Sequence, residues 1–419
     1  MGLSLGQPHT LLTFFYDTTP GPRLILTTGA MSTSECYTGS NATTFDTILV
    51  TGGCGFLGSH IVEVFAADPR NKVVAVSRNP TRFLVPQATY LTCDVNNHSD
   101  VEALVMSVKP KIIVHTVTPG PFEHWKYQYR DYLATKNLVK IAVKSPYVQV
   151  LIYTGSTAAV ANASGLRSDG LTEAESVLHT LESGPSANAR TKSASETLVR
   201  NANTGDSGFN KQNDDFTNVL RTAVLRVPGI YGPRDTLGIP NLLKAVNTFV
   251  TRIQFGDDKT LHDWIYVESC AYAHLLVARA LMESDRSVDM RVDGEAFHIT
   301  DGKPMNFWKY SRRIWTYAGD KNCTQPEKLI KLPWWPMIAL ATAIEWLCFL
   351  FTFGQMNPPL SRERIAYIKE GGWFDIEKAR MRLGYSPLVD TNEGIRRTVL
   401  WFQRQTRTNT SEGNRKGKQ

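Results

Sequence analysis

The feature that most constrains the fold of this chain is an eight-residue stretch, TGGCGFLG, at residues 51–58. The apolar run TILV precedes it, and SHIVEVFAA, which has the apolar spacing of a helix, follows it. Glycines at such a turn let the backbone approach a pyrophosphate group, which then lies at the helix N-terminus. A turn without a ligand is the alternative, but the strand and the helix favour a nucleotide-binding loop. Its expected contact residues are Gly52, Gly55, Phe56, Leu57 and Gly58.

Four more apolar runs rich in β-branched residues follow, with helical stretches between them: KVVAVS, KIIVHTV, VQVLIYTG and TAVLRV. Such alternation is typical of a parallel, doubly wound sheet. We therefore predict a Rossmann-type α/β fold with a smaller, mainly C-terminal substrate region. The polar, Gly/Asn-rich residues 201–218 are expected to form a surface loop insertion.

The composition fits a folded protein and excludes disorder of the whole chain. The 419 residues carry a formal net charge of +7 and are 42% hydrophobic. Six cysteines occur without a CxxC pair or a Cys/His cluster of zinc spacing, so we expect free thiols, a reducing compartment and no metal. The modest basic excess lies partly after Gln405, which indicates a solvated tail, or one near an anionic membrane, rather than a nucleic-acid site.

The apolar stretch 334–353 contains a single charge, Glu345. Its length suffices to cross a bilayer. However, its apolar residues favour insertion by roughly 4 kcal/mol, and one central acid opposes insertion by about 3 kcal/mol. We therefore expect a helix in the membrane interface, with Trp334, Trp335 and Trp346 as anchors. A buried core helix is the alternative.

The end of the second strand indicates which dinucleotide binds. An acid at this point hydrogen-bonds the ribose of NAD, whereas an arginine without the acid accommodates the 2′-phosphate of NADP. The strand ends in Ser77 and Arg78, without an acid. The sequence therefore favours NADP(H) over NAD(H), with a surface charge as the other interpretation of Arg78.

Further motifs run in one order over roughly residues 47–403. They are ILVTGGCGFLGSHIV, CDV, VHTVTP, YTGSTAAV, LRVPGIYGP, DWIYVES, GEAFHITDGKP and ARMRLGYSPLV. With them, the chain resembles the extended short-chain dehydrogenases. Within these it is most similar to the 3β-hydroxysteroid dehydrogenase and sterol-4α-carboxylate 3-dehydrogenase group, whose membrane-associated segment the apolar stretch also resembles.

The resemblance implies roles for residues along the cofactor cleft. Asp94 and Val95 would contact the adenine, residues 115–119 would line the cleft, and Pro228 would lie near the nicotinamide. Ser156 would take the place of the family's catalytic serine and Lys192 that of its lysine. In the family a tyrosine removes the alcohol proton, and the serine steadies the oxyanion. The lysine holds the ribose of the cofactor and lowers the pKa of that tyrosine, so Lys192 would also bind the cofactor.

Position 188 departs from this pattern. The family tyrosine lies four residues before the lysine, where this chain has Asn188, and no tyrosine occurs between Tyr153 and Tyr231. An amide donates and accepts hydrogen bonds but cannot shuttle a proton. General acid–base catalysis is worth about 10²–10⁴-fold. Slow hydride transfer with a water or Ser156 as relay therefore stays open, as does polarisation of a carbonyl by the amide.

Some residues further along the chain have a structural and a functional interpretation. Asp263, in the segment that resembles the family's substrate side, would contact substrate or serve as a cap or local ion pair. His262 beside it is the one histidine kept as a candidate substitute proton donor. Four aromatic residues could form part of the core or one face of a pocket, and we expect the core: Trp308, Tyr310, Trp315 and Tyr317.

We predict an NAD(P)-dependent oxidoreductase acting at C3 of a sterol, triterpenoid or related polycyclic lipid, with decarboxylation where the substrate carries a C4 carboxylate. The alternatives are an isomerase or lyase that uses Asn188, and a catalytically silent, cofactor-binding partner in a membrane complex. The expected location is the cytosolic face of the endoplasmic reticulum membrane. Expected partners are the lipid, the membrane surface and a second copy in a homodimer, but no nucleic acid.

The expected organisation has five parts. They are an irregular extension (1–46), a Rossmann NAD(P)-binding core with interleaved substrate-binding segments (47–330), a membrane-associated apolar helix region (331–370), C-terminal substrate-region helices (371–403) and a basic disordered tail (404–419).

Overall fold

The computed structural model describes residues 45–204, 219–283, 286–323, 329–353, 355–358 and 360–416. The expected N-terminal extension lies almost wholly outside the described residues, as does most of the loop insertion expected at 201–218. The strands of the described chain are β1 Thr47–Thr51, β2 Lys72–Ser77, β3 Thr89–Thr92, β4 Ile112–His115, β5 Val150–Ser156, β6 Arg221–Val227, β7 Gly229–Tyr231, β8 Ile253–Phe255, β9 Leu261–His262, β10 Trp264–Tyr266, β11 Glu295–His298, β12 Met305–Asn306 and β13 Ile330–Leu332.

Helices alternate with these strands. They are α1 Phe56–Ala66, α2 His98–Val108, α3 Trp125–Lys144, α4 Ala187–Asn201, α5 Gly238–Leu243, α6 Val267–Met282, α7 Phe307–Tyr317, α8 Trp334–Thr352, α9 Arg362–Glu370, α10 Glu377–Leu383 and α11 Thr391–Lys416.

The central sheet has seven parallel strands in the order β11-β6-β5-β4-β1-β2-β3. Ile48, Leu49 and Val50 of β1 are fully buried, since helices cover both faces of the sheet. The strand order reverses between β1 and β4, and ligands of such sheets bind beyond the carboxyl ends of the strands at this point. The predicted Rossmann-type fold is confirmed.

A smaller layer lies at that carboxyl edge. Three two-stranded sheets, β7 with β10, β9 with β12 and β8 with β13, pack with α5, α7 and α11. At its centre the rings of Trp264 and Tyr310 stack with 3.8 Å between centroids. Of the four aromatics predicted to be core, Tyr310 and Trp315 are buried, whereas Tyr317 is exposed. The layer is assembled from segments on both sides of α6 and is therefore interleaved with the sheet.

A buried ion pair fixes α4 against the sheet. Arg226 of β6 and Glu196 of α4 are 2% and 0% exposed, and three guanidinium hydrogen bonds of 2.7–3.1 Å join them. Breaking such a pair leaves one buried charge without compensation, which is strongly destabilising. The pair therefore sets the position of the helix that carries residues 188 and 192.

The C-terminal region excludes one alternative and corrects one expectation. Helix α8 is almost fully exposed, since Ala341 is its one buried residue. It is therefore not the buried core helix that was considered as the alternative. Helix α11 continues as far as Lys416, past residue 404, where the tail was expected to become disordered. No proline occurs between residues 404 and 416 to end it.

Candidate active site

A deep cleft of about 1860 Å³ opens at the carboxyl edge of the sheet. The turns after β1, β2, β4, β5 and β6 form its floor, and the smaller layer and α9 form its far wall. Pockets for one small ligand measure about 300–1,000 Å³. The cleft is therefore large enough for a dinucleotide and a second molecule of substantial size.

The glycine-rich loop has the close packing that a phosphate loop needs. Gly52 has a φ of +73°, and its N–H donates to the Val76 carbonyl at 2.9 Å. A Cβ at Gly58 would lie 2.1 Å from the Gly52 oxygen, so only glycine lets α1 start directly against the turn. The first turn of α1 contains no acid, and Gly52, Gly55, Phe56, Leu57 and Gly58 all line the cleft. The N-terminus of α1 can therefore receive an anionic pyrophosphate.

Basic residues surround the cleft beyond β2. Arg78 lines the cleft as the sequence predicts, and Arg82 and Arg130 line it as well. Asp94 and Val95, expected at the adenine, lie beside them. Hydrogen bonds from the side chain and backbone of Asn96 hold the pKa of the Asp94 carboxyl below its ordinary value. Sequence analysis missed Arg82 and Arg130, since neither belongs to a recognisable motif.

Asn188 and Lys192 lie one turn apart on α4, which starts after the capping residue Ser186. Residues four apart share one helix face. Both line the cleft although Asn188 is only 8% exposed and Lys192 only 4%. The amide therefore lies where the resemblance expects a phenol.

The Lys192 ammonium group has two acidic neighbours. Its Nζ donates to the Tyr153 hydroxyl at 3.1 Å and to Asp131 Oδ2 at 3.4 Å. Burial works against the charge, but Tyr153 and Asp131 more than offset it, and the pKa of Lys192 lies above its ordinary value. Sequence analysis missed Asp131, although a signal exists: it is the one acid in the 20 residues of α3.

Ser156 and Pro228 both line the cleft at the ends of their strands, β5 and β6. The Ser156 hydroxyl accepts from the Ala158 N–H at 3.1 Å and remains able to donate to a ligand.

The expectation that residues 115–119 line the cleft holds for 116–119 but is wrong for His115. Its ring is buried between the hydroxyl groups of Thr51 and Thr135, at 2.7 and 3.1 Å. Burial, with the nearby Lys192 charge, lowers the pKa of His115 to about 3. The side chain of the last residue of β4 faces the interior, and His115 is a neutral structural group.

The far end of the cleft is aromatic and contains His262, Asp263 and Trp264. Burial lowers the pKa of His262 to about 4, so the ring is neutral at pH 7, and its Nε2–H donates to the Ile368 carbonyl at 3.1 Å. The acidic imidazolium proton is therefore absent, which argues against a role as substitute acid. Asp263 Oδ2 accepts from the Phe374 N–H at 2.7 Å, and burial raises the pKa of Asp263 to about 8. This contact fits the capping role considered for Asp263.

The segment that follows α8 forms one wall of the cleft. Asn357 donates to the Phe122 carbonyl at 3.0 Å, and the Arg364 guanidinium lies 4.6 Å from the centre of the Phe122 ring. All three residues line the cleft. The exposed apolar helix is therefore joined directly to the opening of the candidate site.

Comparison with known proteins identifies the family. A sequence model of the 3-beta hydroxysteroid dehydrogenase/isomerase family matches residues 49–332. The chain belongs to this family. It is 31% identical over 362 residues to the decarboxylating sterol-4-alpha-carboxylate 3-dehydrogenase of Schizosaccharomyces pombe, covering 85% of this chain and 97% of that protein. It is 29% identical over 357 residues to the human protein of the same name, with 84% and 87% coverage.

Solved structures support the fold alone. The UDP-glucose 4-epimerase of Thermotoga maritima superposes with a TM-score of 0.60 at 20% identity, covering 86% of this chain and 99% of that one. The NAD complex of the Thermus thermophilus UDP-glucose 4-epimerase gives a TM-score of 0.60 at 19% identity, with 85% and 99% coverage.

The predictions of the family, of an enzyme and of an NAD(P) cofactor are thereby confirmed. The individual site residues remain predictions. Within the described residues, no group of His, Cys, Asp and Glu side chains is arranged to hold a metal ion.

Proposed function

We propose that this protein oxidises the C3 hydroxyl group of a sterol or related polycyclic lipid with NAD(P)⁺. A C4 carboxylate on the substrate is then lost as carbon dioxide, because the new 3-ketone accepts the electrons of the breaking bond. The observation that carries the proposal is the 31% identity to a decarboxylating sterol-4-alpha-carboxylate 3-dehydrogenase over 97% of its length. The cleft, long and aromatic at its far end, supports a polycyclic substrate beside the cofactor.

The roles of the chain's residues follow from their places in the cleft. The loop from Gly52 to Gly58 and the N-terminus of α1 hold the pyrophosphate, with Asp94 and Val95 at the adenine and Pro228 near the nicotinamide. When bound, the nicotinamide supplies the hydride acceptor.

The reacting centre combines Ser156, Lys192 and Asn188. Ser156 donates a hydrogen bond to the substrate oxygen, and Lys192 holds the ribose. Asn188 orients the substrate oxygen by hydrogen bonding but takes no proton. The proton of the C3 hydroxyl group therefore leaves through Ser156 or a water at the place of the absent phenol.

Turnover with both dinucleotides tests this function. Detergent-purified protein is incubated with NAD⁺ or NADP⁺ and 3β-hydroxysterols with and without a C4 carboxylate, and mass spectrometry follows lipid and cofactor. We expect loss of carbon dioxide and one reduced cofactor per ketone formed, and neither from Lys192→Met. Isomerised lipid with unchanged cofactor would favour the isomerase alternative. Cofactor binding without any turnover would favour the catalytically silent partner.

Three arginines that line the cleft near the end of β2 favour NADP(H) over NAD(H). Ser77 ends β2 without an acid, and Arg78, Arg82 and Arg130 line the cleft beside it. A guanidinium–phosphate hydrogen bond contributes about 1.5–3 kcal/mol. Arg78→Glu is therefore expected to raise the KM for NADP⁺ about 10- to 100-fold and to leave the KM for NAD⁺ within a factor of about three.

Lys140→Glu, an equal change of charge at an exposed position of α3, is the control for Arg78→Glu. Initial rates at saturating sterol measure both KM values. A parallel rise in the two values, or none in either, would contradict recognition of the 2′-phosphate by Arg78.

Helix α8 supports association with a membrane. Its 19 residues have a mean hydropathy of 1.5 over the most apolar window, of which 6% is buried. Trp335 and Trp346 are exposed as the predicted anchors, whereas Trp334 packs on the Phe255 ring with 6.2 Å between centroids. The acid Glu345 pairs with Arg362 of α9 at 2.7 Å, which reduces its cost near lipid.

The site would thus open at a membrane surface, where an apolar substrate resides. Residence at the cytosolic face of the endoplasmic reticulum and a homodimer stay predictions.

A further inference from the structure

Lys192 and Asp131 form an ion pair that the catalytic pattern of the resemblance does not contain. Their side chains are 5% and 7% exposed, and Nζ lies 3.4 Å from Oδ2. The other carboxylate oxygen, Oδ1, is buried and has no donor at hydrogen-bond geometry in the described chain, although the Thr118 hydroxyl lies close enough to the carboxylate to lower its pKa. Burial raises the pKa of the Asp131 carboxyl, and the Lys192 ammonium opposes that shift. The carboxylate is therefore held in place mainly by the lysine.

Among the described residues, the contacts of the Lys192 ammonium group include no second cation. Tyr153 of β5 accepts at 3.1 Å, and the ring of His115, stacked on Tyr153 with centroids 5.8 Å apart, is neutral. Asp131 is thus the group whose negative charge offsets the lysine. The Asp131 carboxylate therefore reduces the positive electrostatic potential that Lys192 produces at neighbouring positions of α4.

Asn188 lies one turn before Lys192 on α4. Residues 188 and 192 lie on one face of α4, and both line the cleft. A lysine lowers the pKa of a neighbouring phenol only while its positive charge is not cancelled. At position 188 this chain has an amide, which gains nothing from such a charge. The amide and the acid are therefore mutually consistent: without a phenol to ionise, Lys192 can be held by a carboxylate.

We propose that Asp131 is a positioning residue that neutralises Lys192 and withdraws its charge from position 188, so that residues 131 and 188 act as a coupled pair. Lys192 in this chain is a fixed hydrogen-bond donor rather than an activating charge. A tyrosine restored at 188 is then a poor base until Asp131 is also replaced. The inference concerns the active site assigned under the proposed function, but its first test needs no substrate.

The test is a cycle of Asn188→Tyr, Asp131→Asn and the double variant. Asp131→Asn keeps the shape and a hydrogen-bond acceptor for Lys192 but removes the charge. Ultraviolet absorbance of tyrosinate against pH, as a difference from matched Asn188→Phe proteins, reports ionisation of the introduced phenol. We expect its midpoint to lie at least about one pH unit lower in the double variant than in Asn188→Tyr alone.

Asp131 also raises the pKa of Tyr153, so Asp131→Asn changes the ionisation of that phenol as well. Subtracting the Asn188→Phe protein of the same background removes the Tyr153 signal from each titration. Thermal unfolding shows that each protein is folded, and Asp131→Ser repeats the comparison if the asparagine variant is not. Equal midpoints in both backgrounds, in whichever of these variants folds, would overturn the proposal.

Activity supplies an independent second readout. For sterol oxidation we expect kcat of the double variant to exceed that of Asn188→Tyr at least about tenfold at pH 7, with little change in KM for the sterol. If Asn188→Tyr alone raises kcat and the added Asp131→Asn substitution raises it no further, the coupling of residues 131 and 188 is contradicted. If none of the proteins oxidises a sterol, the proposed function fails, whereas the absorbance titration still decides the role of Asp131.

Discussion

Gly58→Ala is expected to weaken dinucleotide binding at least about 100-fold and to lower the thermal stability of the protein. A Cβ at this position would lie 2.1 Å from the Gly52 oxygen and 2.8 Å from the Gly52 carbonyl carbon. Both are backbone atoms, so neither can rotate away. The start of α1 must therefore move off the glycine turn, which separates the two halves of the phosphate site.

The size of the effect follows from the contacts at stake. A hydrogen bond to a charged group contributes about 1.5–3 kcal/mol, so losing two of them costs about 3–6 kcal/mol, or at least about 100-fold in Kd. In an ordinary helix the same substitution would stabilise by about 0.5–1 kcal/mol. The sign of the stability change thus distinguishes a closely packed loop from a plain helical glycine.

Titration of NADPH fluorescence measures the affinity, and thermal unfolding of the apoprotein measures stability. Gly120→Ala is the matched control, because its Cβ would meet Glu123 Cγ, a flexible side-chain atom, at 3.3 Å. Unchanged affinity in Gly58→Ala would contradict the assignment of this loop to the pyrophosphate.

The sheet was largely predictable because buried parallel strands are continuous apolar runs. The runs at β1, β2, β4, β5 and β6 each form a strand of the central sheet. The two edge strands, β3 and β11, were not predicted. The residues of β3 are mostly exposed, and β11 is buried but only four residues long, so neither shows the apolar run of a central strand. The loop residues were predictable for a related reason: the glycine turn is a local feature that needs no knowledge of distant contacts.

Contacts between distant segments could not be predicted. Asp131 and Lys192 are 61 residues apart, and helical periodicity indicates which face each occupies but not that α3 and α4 pack side by side. His115 illustrates the same limit, because motif resemblance places it near the cleft, whereas strand pleating turns its side chain inward. For α8, composition alone cannot distinguish a core helix from an exposed one, since both are apolar.

Replacing Trp346, Phe349 and Leu350 together by glutamine is expected to release the protein from membranes. These side chains are 69%, 58% and 65% exposed and lie next to one another on α8. Transfer of each exposed portion into lipid is worth about 1–2 kcal/mol, hence about 3–6 kcal/mol for the three and a factor of about 10²–10⁴ in the partition coefficient. Glutamine favours helix, and the replaced groups contribute little to the core, so the fold should persist.

Flotation with phosphatidylcholine and phosphatidylserine vesicles measures the bound fraction. The control replaces Trp125, Tyr129 and Leu133, three exposed apolar residues of α3, by glutamine in the same way and should leave binding unchanged. Binding that survives the α8 substitutions would contradict the membrane proposal for this helix. The unsubstituted protein could instead fail to bind vesicles and sediment as a dimer. If the same substitutions dissociate that dimer, α8 packs against a second copy of the chain. An exposed apolar surface of this size needs one of these two occupants, because water alone leaves it prone to association.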